Sequence, residues 1–441
     1  MAAAVVVVVV LDVVAAGCGN KPTHKRTGDA LPVEVVTTPP LPDGGVPGGP
    51  ASEEIEPNDG DDVATVLGLG ATVHGKIEPD TDLDHYRIDV AEAGVLEVMV
   101  DGHDALDVVL EIDDASGNVL VRSDRGGPHV REGIPNLGVS PGRYIAIVQA
   151  KKPPPPKPAP KKRPAKKSAA PPAPPEPPKP IGGPYEITAK LVAPAPGAEH
   201  EPDDDRGEAN DLIAGDTGAG YIGWTGDVDV WKVSLEALSA KNALDLELTA
   251  VEGVALTLEI SDGVGQPIVT RKGPKGGPLV VRGFVPAVPT GAPPFHYLTV
   301  RADRSNPETA YQIRAIAKVI APDAETEPND TPETAMAFPS DRKSLHAHWS
   351  TGDVDCFTVA PDPAARTLEI SIDTPNELDL AIDLLVDGKQ VAKVDHPGRG
   401  AAERLVGQVP AGAQAVIRVH GSDAAGDGTY ELVVAEGAGS P

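Results

Sequence analysis

The sequence predicts an all-β protein made of three tandem antiparallel β-sandwich domains. Its 441 residues exceed the length of one ordinary domain and favour about three. Glycine and proline, at 47 and 48 residues, both disfavour helix interiors, so a chain rich in them favours short strands joined by turns. The third observation is an acidic motif that occurs three times, each time followed by the same strand pattern.

The repeated motif consists of two acidic segments at a fixed separation. The first has the form Glu-x-Glu-Pro-Asn-Asp, with Asp replacing Asn in the middle copy, and occupies residues 54–59, 199–204 and 325–330. The second, Asp-x-Asp, occupies residues 82–84, 227–229 and 353–355. In every copy 26 positions separate the glutamate before proline from the first aspartate of the pair (56 to 82, 201 to 227, 327 to 353). A spacing kept three times indicates a repeated structural unit.

An aromatic residue follows each acidic pair by two positions: Tyr86, Trp231 and Phe357. Apolar and polar residues alternate from there, as in a strand with one buried face, so we expect these aromatic side chains in the cores. Further strand-like runs are separated by turn sequences such as Asp-Gly. They occupy residues 95–100, 108–112, 144–148 and 185–192, then 244–248, 256–260 and 311–316, and finally 368–372, 380–385 and 430–434.

This pattern divides the chain into three predicted domains, called modules 1, 2 and 3 below. They span residues 53–193, 198–320 and 324–437. Residues 19–52 are rich in Pro, Gly and Thr and lack apolar periodicity, so we interpret them as a flexible tether.

The first 18 residues are predicted to be a signal peptide. The run from Ala2 to Gly17 is almost wholly apolar, too short for a comfortable membrane span, and ends in small residues. Small residues directly before Cys18 resemble the bacterial lipobox, which implies lipid attached to this cysteine and a membrane anchor. No Lys or Arg precedes the apolar run and Asp12 interrupts it, so an ordinary cleaved signal is the alternative. Gly19 resembles the residue that follows the cysteine in outer-membrane lipoproteins. We therefore expect an exported, outer-membrane-anchored lipoprotein, periplasmic or surface-exposed, or else a secreted protein.

Module 1 contains a basic insertion, residues 151–184. Its segment Lys151–Pro180 is nearly all Pro, Lys and Ala and holds nine basic residues and one acid. Proline at this density favours an extended polyproline II rod. The segment is predicted to be either a basic arm for an anionic polymer or an acidic protein, or a solvated spacer. The whole chain has a net charge of −28, which argues against a nucleic-acid surface.

The acidic motif has the composition of a cation site. In an extended segment Glu54, Glu56 and Asn58 point the same way, and the Asp82/Asp84 pair could approach from a neighbouring strand. Each module then offers about six side-chain oxygen ligands, as many as Ca²⁺ takes, whereas Mg²⁺ prefers fewer carboxylates and more water. The alternatives are a solvated acidic linker or, at residues 330–333, the start of a helical turn.

Together these motifs, and the strand series ending in Tyr-x-Leu, resemble the bacterial pre-peptidase C-terminal domain, a family related to the collagen-binding domains of bacterial collagenases. The resemblance covers nearly the whole chain after the tether. It implies a jelly-roll-like β-sandwich with calcium between the first acidic segment and the Gly-Asp-Val-Asp strand. The implied ligands are Glu54, Glu56, Asn58, Asp59, Asp82 and Asp84 in module 1; Glu199, Glu201, Asp203, Asp204, Asp227 and Asp229 in module 2; and Glu325, Glu327, Asn329, Asp330, Asp353 and Asp355 in module 3. Module 2 departs from the family pattern at Asp203, and its next segment, residues 205–208, lacks the Thr-Pro that is usual in the family, which puts its site in doubt.

No motif for catalysis accompanies these modules. The sequence contains neither His-Glu-x-x-His nor Gly-x-Ser-x-Gly, its histidines lack zinc-ligand spacing, and Cys356 has no evident histidine partner. We therefore predict a monomeric non-enzyme that binds or adheres to a glycan or a matrix protein, for which Trp224 and Tyr221 are the exposed aromatic candidates. A structural spacer or accessory subunit is the alternative, and an unrecognised hydrolase is a third.

Overall fold

The computed structural model describes residues 52–103, 106–151, 182–288, 290–422 and 426–437. The predicted signal with Cys18, the tether up to residue 51 and residues 152–181 of the basic insertion lie outside this part of the chain. The described residues contain strands and no helix. Accordingly, no helix among them is long and apolar enough to cross a membrane.

Module 1 has nine strands among its described residues. They are β1 (Thr65–Val66), β2 (Thr72–Ile77), β3 (Leu83–Val90), β4 (Gly94–Gly102), β5 (Val108–Asp114), β6 (Val119–Ser123), β7 (Glu132–Val139), β8 (Gly142–Ala150) and β9 (Gly183–Val192). A five-stranded sheet has the order β1-β3-β8-β5-β6, and a four-stranded sheet has the order β2-β9-β4-β7.

Module 2 repeats this arrangement. Its strands are β10 (Asn210–Leu212), β11 (Thr217–Ile222), β12 (Val228–Ser234), β13 (Asn242–Leu248), β14 (Leu256–Ser261), β15 (Pro267–Lys272), β16 (Leu279–Phe284), β17 (Phe295–Ala302) and β18 (Asn306–Val319). The two sheets have the orders β10-β12-β17-β14-β15 and β11-β18-β13-β16.

Module 3 has the same topology again. Its strands are β19 (Met336–Ala337), β20 (Ser344–Ser350), β21 (Val354–Val359), β22 (Arg366–Asp373), β23 (Leu380–Val386), β24 (Lys389–Val394), β25 (Glu403–Val409), β26 (Ala415–Gly421) and β27 (Asp427–Glu436). Its sheets have the orders β19-β21-β26-β23-β24 and β20-β27-β22-β25.

These three sheet pairs confirm the predicted fold class of tandem all-β sandwiches. Nearly all neighbouring strands are antiparallel; the exception in each module is the short first strand, which pairs in parallel with the third. Alternation of apolar and polar residues produces this packing because successive side chains of a strand point to opposite faces. The predicted core aromatics Tyr86, Trp231 and Phe357 are at most 1% exposed.

Consecutive modules are joined by backbone pairing as well as by the chain. Leu137 in β7 of module 1 forms a parallel bridge with Glu201, and Phe284 in β16 of module 2 forms the same bridge with Glu327. At each joint, therefore, the outer strand of one module's four-stranded sheet pairs with the first acidic segment of the next module.

The prediction that Trp224 is exposed is wrong. Its side chain is only 8% exposed and packs with the buried apolar residues of module 1, although Trp224 belongs to module 2. Burial of a large aromatic ring between the modules strengthens this joint. Tyr221 is half-buried.

Candidate metal centres

The fold brings the two acidic segments of each module together. The carbonyl oxygens of Asn58, Asp203 and Asn329 accept hydrogen bonds from the backbone N–H groups that directly follow the three Asp-x-Asp pairs, at 3.0, 3.3 and 3.0 Å. The proline-linked segment is therefore fixed beside the first residues of β3, β12 and β21. The Glu-Pro peptide bond of this segment is cis in all three modules.

Several of the predicted ligand residues then lie close enough to share one cation. Mutual distances within 4.8 Å join carboxylate oxygens of four groups of three residues. The groups are Glu56, Asp82 and Asp84 in module 1; Glu201, Asp203 and Asp229 in module 2; and both Glu325, Glu327 and Asp355 and Glu327, Asp330 and Asp353 in module 3.

The remaining predicted ligands take different positions. Glu54 and Glu199 belong to none of these close groups among the described residues, and each accepts a hydrogen bond from a backbone N–H of β2 or β11. Asp227 is 3% exposed and accepts a hydrogen bond from Gly223 N at 2.5 Å. Asp59 and Asp204 are exposed and belong to none of the close carboxylate groups among the described residues.

The strongest indication of a cation is a set of buried oxygen atoms without hydrogen-bond partners. In every module these include Oδ1 of the residue after the proline and Oδ1 of the last aspartate of the pair, and both residues are fully buried. They are Asn58 and Asp84, Asp203 and Asp229, and Asn329 and Asp355. Buried polar atoms are normally paired, and leaving them unpaired costs free energy, so a cation bound here would fit the donor set.

The raised pKa values of the clustered carboxyl groups also favour a bound cation. Burial, together with repulsion from neighbouring carboxylates, raises the pKa of Asp84 to about 8, of Asp203 to about 10 and of Glu327 to about 9. Burial also raises the pKa values of Asp229 and Asp355 well above the ordinary range. Carboxylates arranged in this way would be stabilised in their charged form by a nearby cation.

The modules differ in how deeply the site is covered. Glu56 of module 1 is exposed, whereas its counterparts Glu201 and Glu327 are 1% and 4% exposed. The reason is the backbone pairing of these two glutamates with the outer strand of the preceding module.

The sequence analysis did not identify three tyrosines that touch the acidic clusters. Tyr185 and Tyr430 donate to Oδ2 of Asp84 and of Asp355, the latter at 2.6 Å, and Tyr311 donates to Oε2 of Glu199 at 3.1 Å. The signal for them in the sequence is the tyrosine at the start of the last predicted strand run of every module, a position that by itself indicates only a strand.

A glycine makes room for these tyrosines in module 1. A Cβ atom added to Gly75 would lie closer than 3.0 Å to Tyr185 and to the hydroxyl of Tyr86. We expect Gly75→Ala to destabilise the protein by about 1–3 kcal/mol in urea unfolding, because the rings must move within a packed core. Gly60→Ala is the control, since nothing lies within 4 Å of a Cβ there. Equal stability of the two variants would contradict the close packing.

Two side chains from neighbouring modules also reach the clusters. Asn136 Nδ2 in module 1 donates to Glu199 Oε1 of module 2 at 2.8 Å. Arg271 in module 2 is 3% exposed and contacts acidic residues of module 3. The sequence repeat could not predict either contact, because each side chain belongs to a different module from the acids that it contacts.

Cys356, the cysteine that was considered as a nucleophile from the sequence, lies fully buried in β21. Burial raises the pKa of its thiol to about 12. A thiol with such a pKa supplies almost no thiolate, the form that acts as a nucleophile, and this agrees with its interpretation as a packed strand residue.

The chain is similar to solved structures but to no protein-family model or curated protein. Among solved structures, the chain is similar to the pre-peptidase C-terminal domain of a collagenase from Bacillus anthracis, with 18% sequence identity, coverage of 29% of this chain and 94% of that chain, and a TM-score of 0.20.

Proposed function

We propose that the protein is a non-catalytic cell-envelope protein whose three β-sandwich modules, of the pre-peptidase C-terminal type, are stabilised by calcium and act in binding or adhesion. The observation that carries the calcium proposal is the recurrence of fully buried, unpaired oxygen atoms at the same two positions of every module. Hard oxygen donors in such number suit Ca²⁺ better than a transition metal.

The residues that would hold the ion are those of the sequence motif. The buried members are Asn58, Asp82 and Asp84 in module 1; Glu199, Glu201, Asp203, Asp227 and Asp229 in module 2; and Glu325, Glu327, Asn329, Asp353 and Asp355 in module 3. A bound ion would supply positive charge that holds the first acidic segment against the sandwich. The exposed Asp59 and Asp204 would serve as outer ligands or as charged groups near the ion.

Attachment and partners form the second part of the proposal. A lipid on Cys18 would anchor the chain to the outer membrane, or the chain would be secreted after signal cleavage. A glycan or a matrix protein would be the ligand, and the basic segment Lys151–Pro180 would meet an anionic polymer or an acidic protein. The motif before Cys18 and the net charge of +8 on the basic segment, nine basic residues less one acid, support these assignments.

A spacer or accessory subunit is the second candidate function, and the joints favour it. The β-bridges at Leu137–Glu201 and Phe284–Glu327, together with the buried Trp224, connect the sandwiches more firmly than a linker alone would. Such an array could hold another protein at a distance from the membrane.

Calorimetric melting of the soluble chain tests the calcium proposal. We expect Ca²⁺ to raise the melting temperature relative to chelator, because a ligand that binds only the folded state at about a hundred times its Kd adds about 2.7 kcal/mol of stability. Mg²⁺ at the same concentration is the control and should give a smaller shift. Identical melts in calcium and in chelator would refute the proposal.

A binding screen distinguishes an adhesion protein from a structural spacer. The full chain and a variant lacking residues 151–180 would be tested on glycan and matrix-protein arrays with and without Ca²⁺. Specific retention of both proteins supports adhesion through the sandwiches, and retention lost with the deletion assigns binding to the basic segment. A chain that binds nothing in either form favours the spacer.

A further inference from the structure

One side chain distinguishes the acidic cluster of module 3 from the other two. Arg271 lies in β15 of module 2, and its side chain is 4% exposed. Its Nη2 atom lies 2.8 Å from Glu327 Oε1, 2.8 Å from Asp330 Oδ1 and 2.6 Å from Asp353 Oδ1. These three acids are themselves one of the carboxylate groups close enough to hold a metal ion. A single guanidinium nitrogen therefore lies among the oxygens that would otherwise surround a cation.

The arginine is not part of the repeated design. The strand registers Leu110–Ser123, Leu258–Arg271 and Ile382–Val394 place Ser123 and Val394 at the corresponding positions of modules 1 and 3. Ser123 donates its hydroxyl hydrogen to Glu132 Oε2 at 2.6 Å, within its own module. The arginine that bridges modules 1 and 2, Arg125, pairs instead with Glu308 at 2.9 Å.

The acidic cluster of module 2 has no basic side chain to neutralise it among the described residues. In the described part of the chain no Lys, Arg or His forms an ion pair with its six acids, whereas module 3 has three such contacts through Arg271. Unpaired buried oxygens remain on Glu201, Asp203, Asp227 and on both positions of Asp229. In module 3 the counterparts Glu327 and Asp353 have no unpaired oxygen, and only Asn329 and Asp355 keep one.

We propose that Arg271 is a protein-supplied cation that takes the place of a metal ion in the outer half of the module 3 cluster, formed by Glu327, Asp330 and Asp353. The inner half, with Asn329 and Asp355, stays open to an ion. The joint between modules 2 and 3 is then stabilised by a guanidinium in chelator, while the joint between modules 1 and 2 gains the equivalent stabilisation only when a metal ion neutralises the acids of module 2. This difference between the joints rests on the calcium binding proposed above, but the role of Arg271 in chelator does not.

The first test is melting of the full chain in chelator. Arg271→Met removes the charge and keeps much of the bulk, and we expect it to lower the melting temperature of the module 3 transition by about 10 °C, as for a buried ion pair that loses one partner. Arg271→Lys restores a positive charge and should recover part of that loss. Lys272→Ser, an exposed neighbour in the same strand, is the matched control. Unchanged melting of Arg271→Met would overturn the proposal.

The second test counts bound Ca²⁺ by equilibrium dialysis. Arg271→Ser reproduces the module 1 residue and opens space for an ion, so we expect it to bind one more calcium ion than the wild type, whereas Arg271→Met binds no more. An unchanged count for Arg271→Ser would overturn the substitution of a metal ion by arginine. If the wild type binds no calcium at all while Arg271→Met melts lower in chelator, the calcium function fails and the electrostatic role of Arg271 stands.

Discussion

Asp229→Asn is expected to make module 2 more stable than in the wild type in chelator and less stable than in the wild type in saturating Ca²⁺. In chelator the variant should melt higher than the wild type, by roughly 5 °C, because the substitution removes the cost of burying an ionisable carboxyl beside other acids, and the new amide can donate to neighbouring carboxylates. Asp229 is fully buried, both of its oxygens lack hydrogen-bond partners, and burial raises its pKa well above the ordinary range. In saturating Ca²⁺ the order should invert, because the variant loses a charged ligand and with it most of about 2.7 kcal/mol of linkage.

Calorimetry of the wild type and of Asp229→Asn, each in chelator and in Ca²⁺, measures this inversion of their melting temperatures. The control is Asp211→Asn, which removes an exposed carboxylate paired with Lys232 and should change neither melt by more than about 0.5 kcal/mol. A variant that melts lower than the wild type in chelator would contradict the picture of an electrostatically strained site without metal. A variant that still responds fully to calcium would remove Asp229 from the ligand set.

Trp224→Ala is expected to separate the unfolding of modules 1 and 2. The ring is 8% exposed and packs in the core of module 1 while its backbone belongs to module 2, so truncation should cost about 3–5 kcal/mol. Most of this loss should fall on the joint. We therefore expect module 1 to melt in a separate, earlier transition, and the amide hydrogens of Gly138 and Glu201, which pair across the joint, to exchange faster.

Tyr221→Ala is the matched control for this substitution. Tyr221 lies three residues before Trp224, near the end of β11, and is only half-buried, so its truncation should cost less and leave modules 1 and 2 melting together. If Trp224→Ala lowers the stability of module 2 alone, the ring is part of that module's own packing and does not connect the two modules.

Much of the fold was predictable because it depends on local periodicity. The alternation after Tyr86 and its counterparts specifies a strand with one buried face, and the predicted strand runs all fall on observed strands. The acidic segments were also recognisable, since their spacing recurs. Their approach to each other followed from the resemblance of the motif to a known domain, and the structure places them together through the same backbone hydrogen bonds in all three modules.

The sequence by itself determined the fold class, the threefold repeat and the oxygen-rich composition of each cluster. Only the tertiary structure decided which copies are buried and what neutralises them. Glu201 and Glu327 are buried because strands of other modules pair with them, Trp224 is covered by module 1, and Arg271 of module 2 enters the cluster of module 3. The sequence repeat relates only equivalent positions of the three modules to one another. These contacts, in contrast, join non-equivalent positions of different modules. For that reason three nearly identical acidic motifs come to lie in three different electrostatic environments.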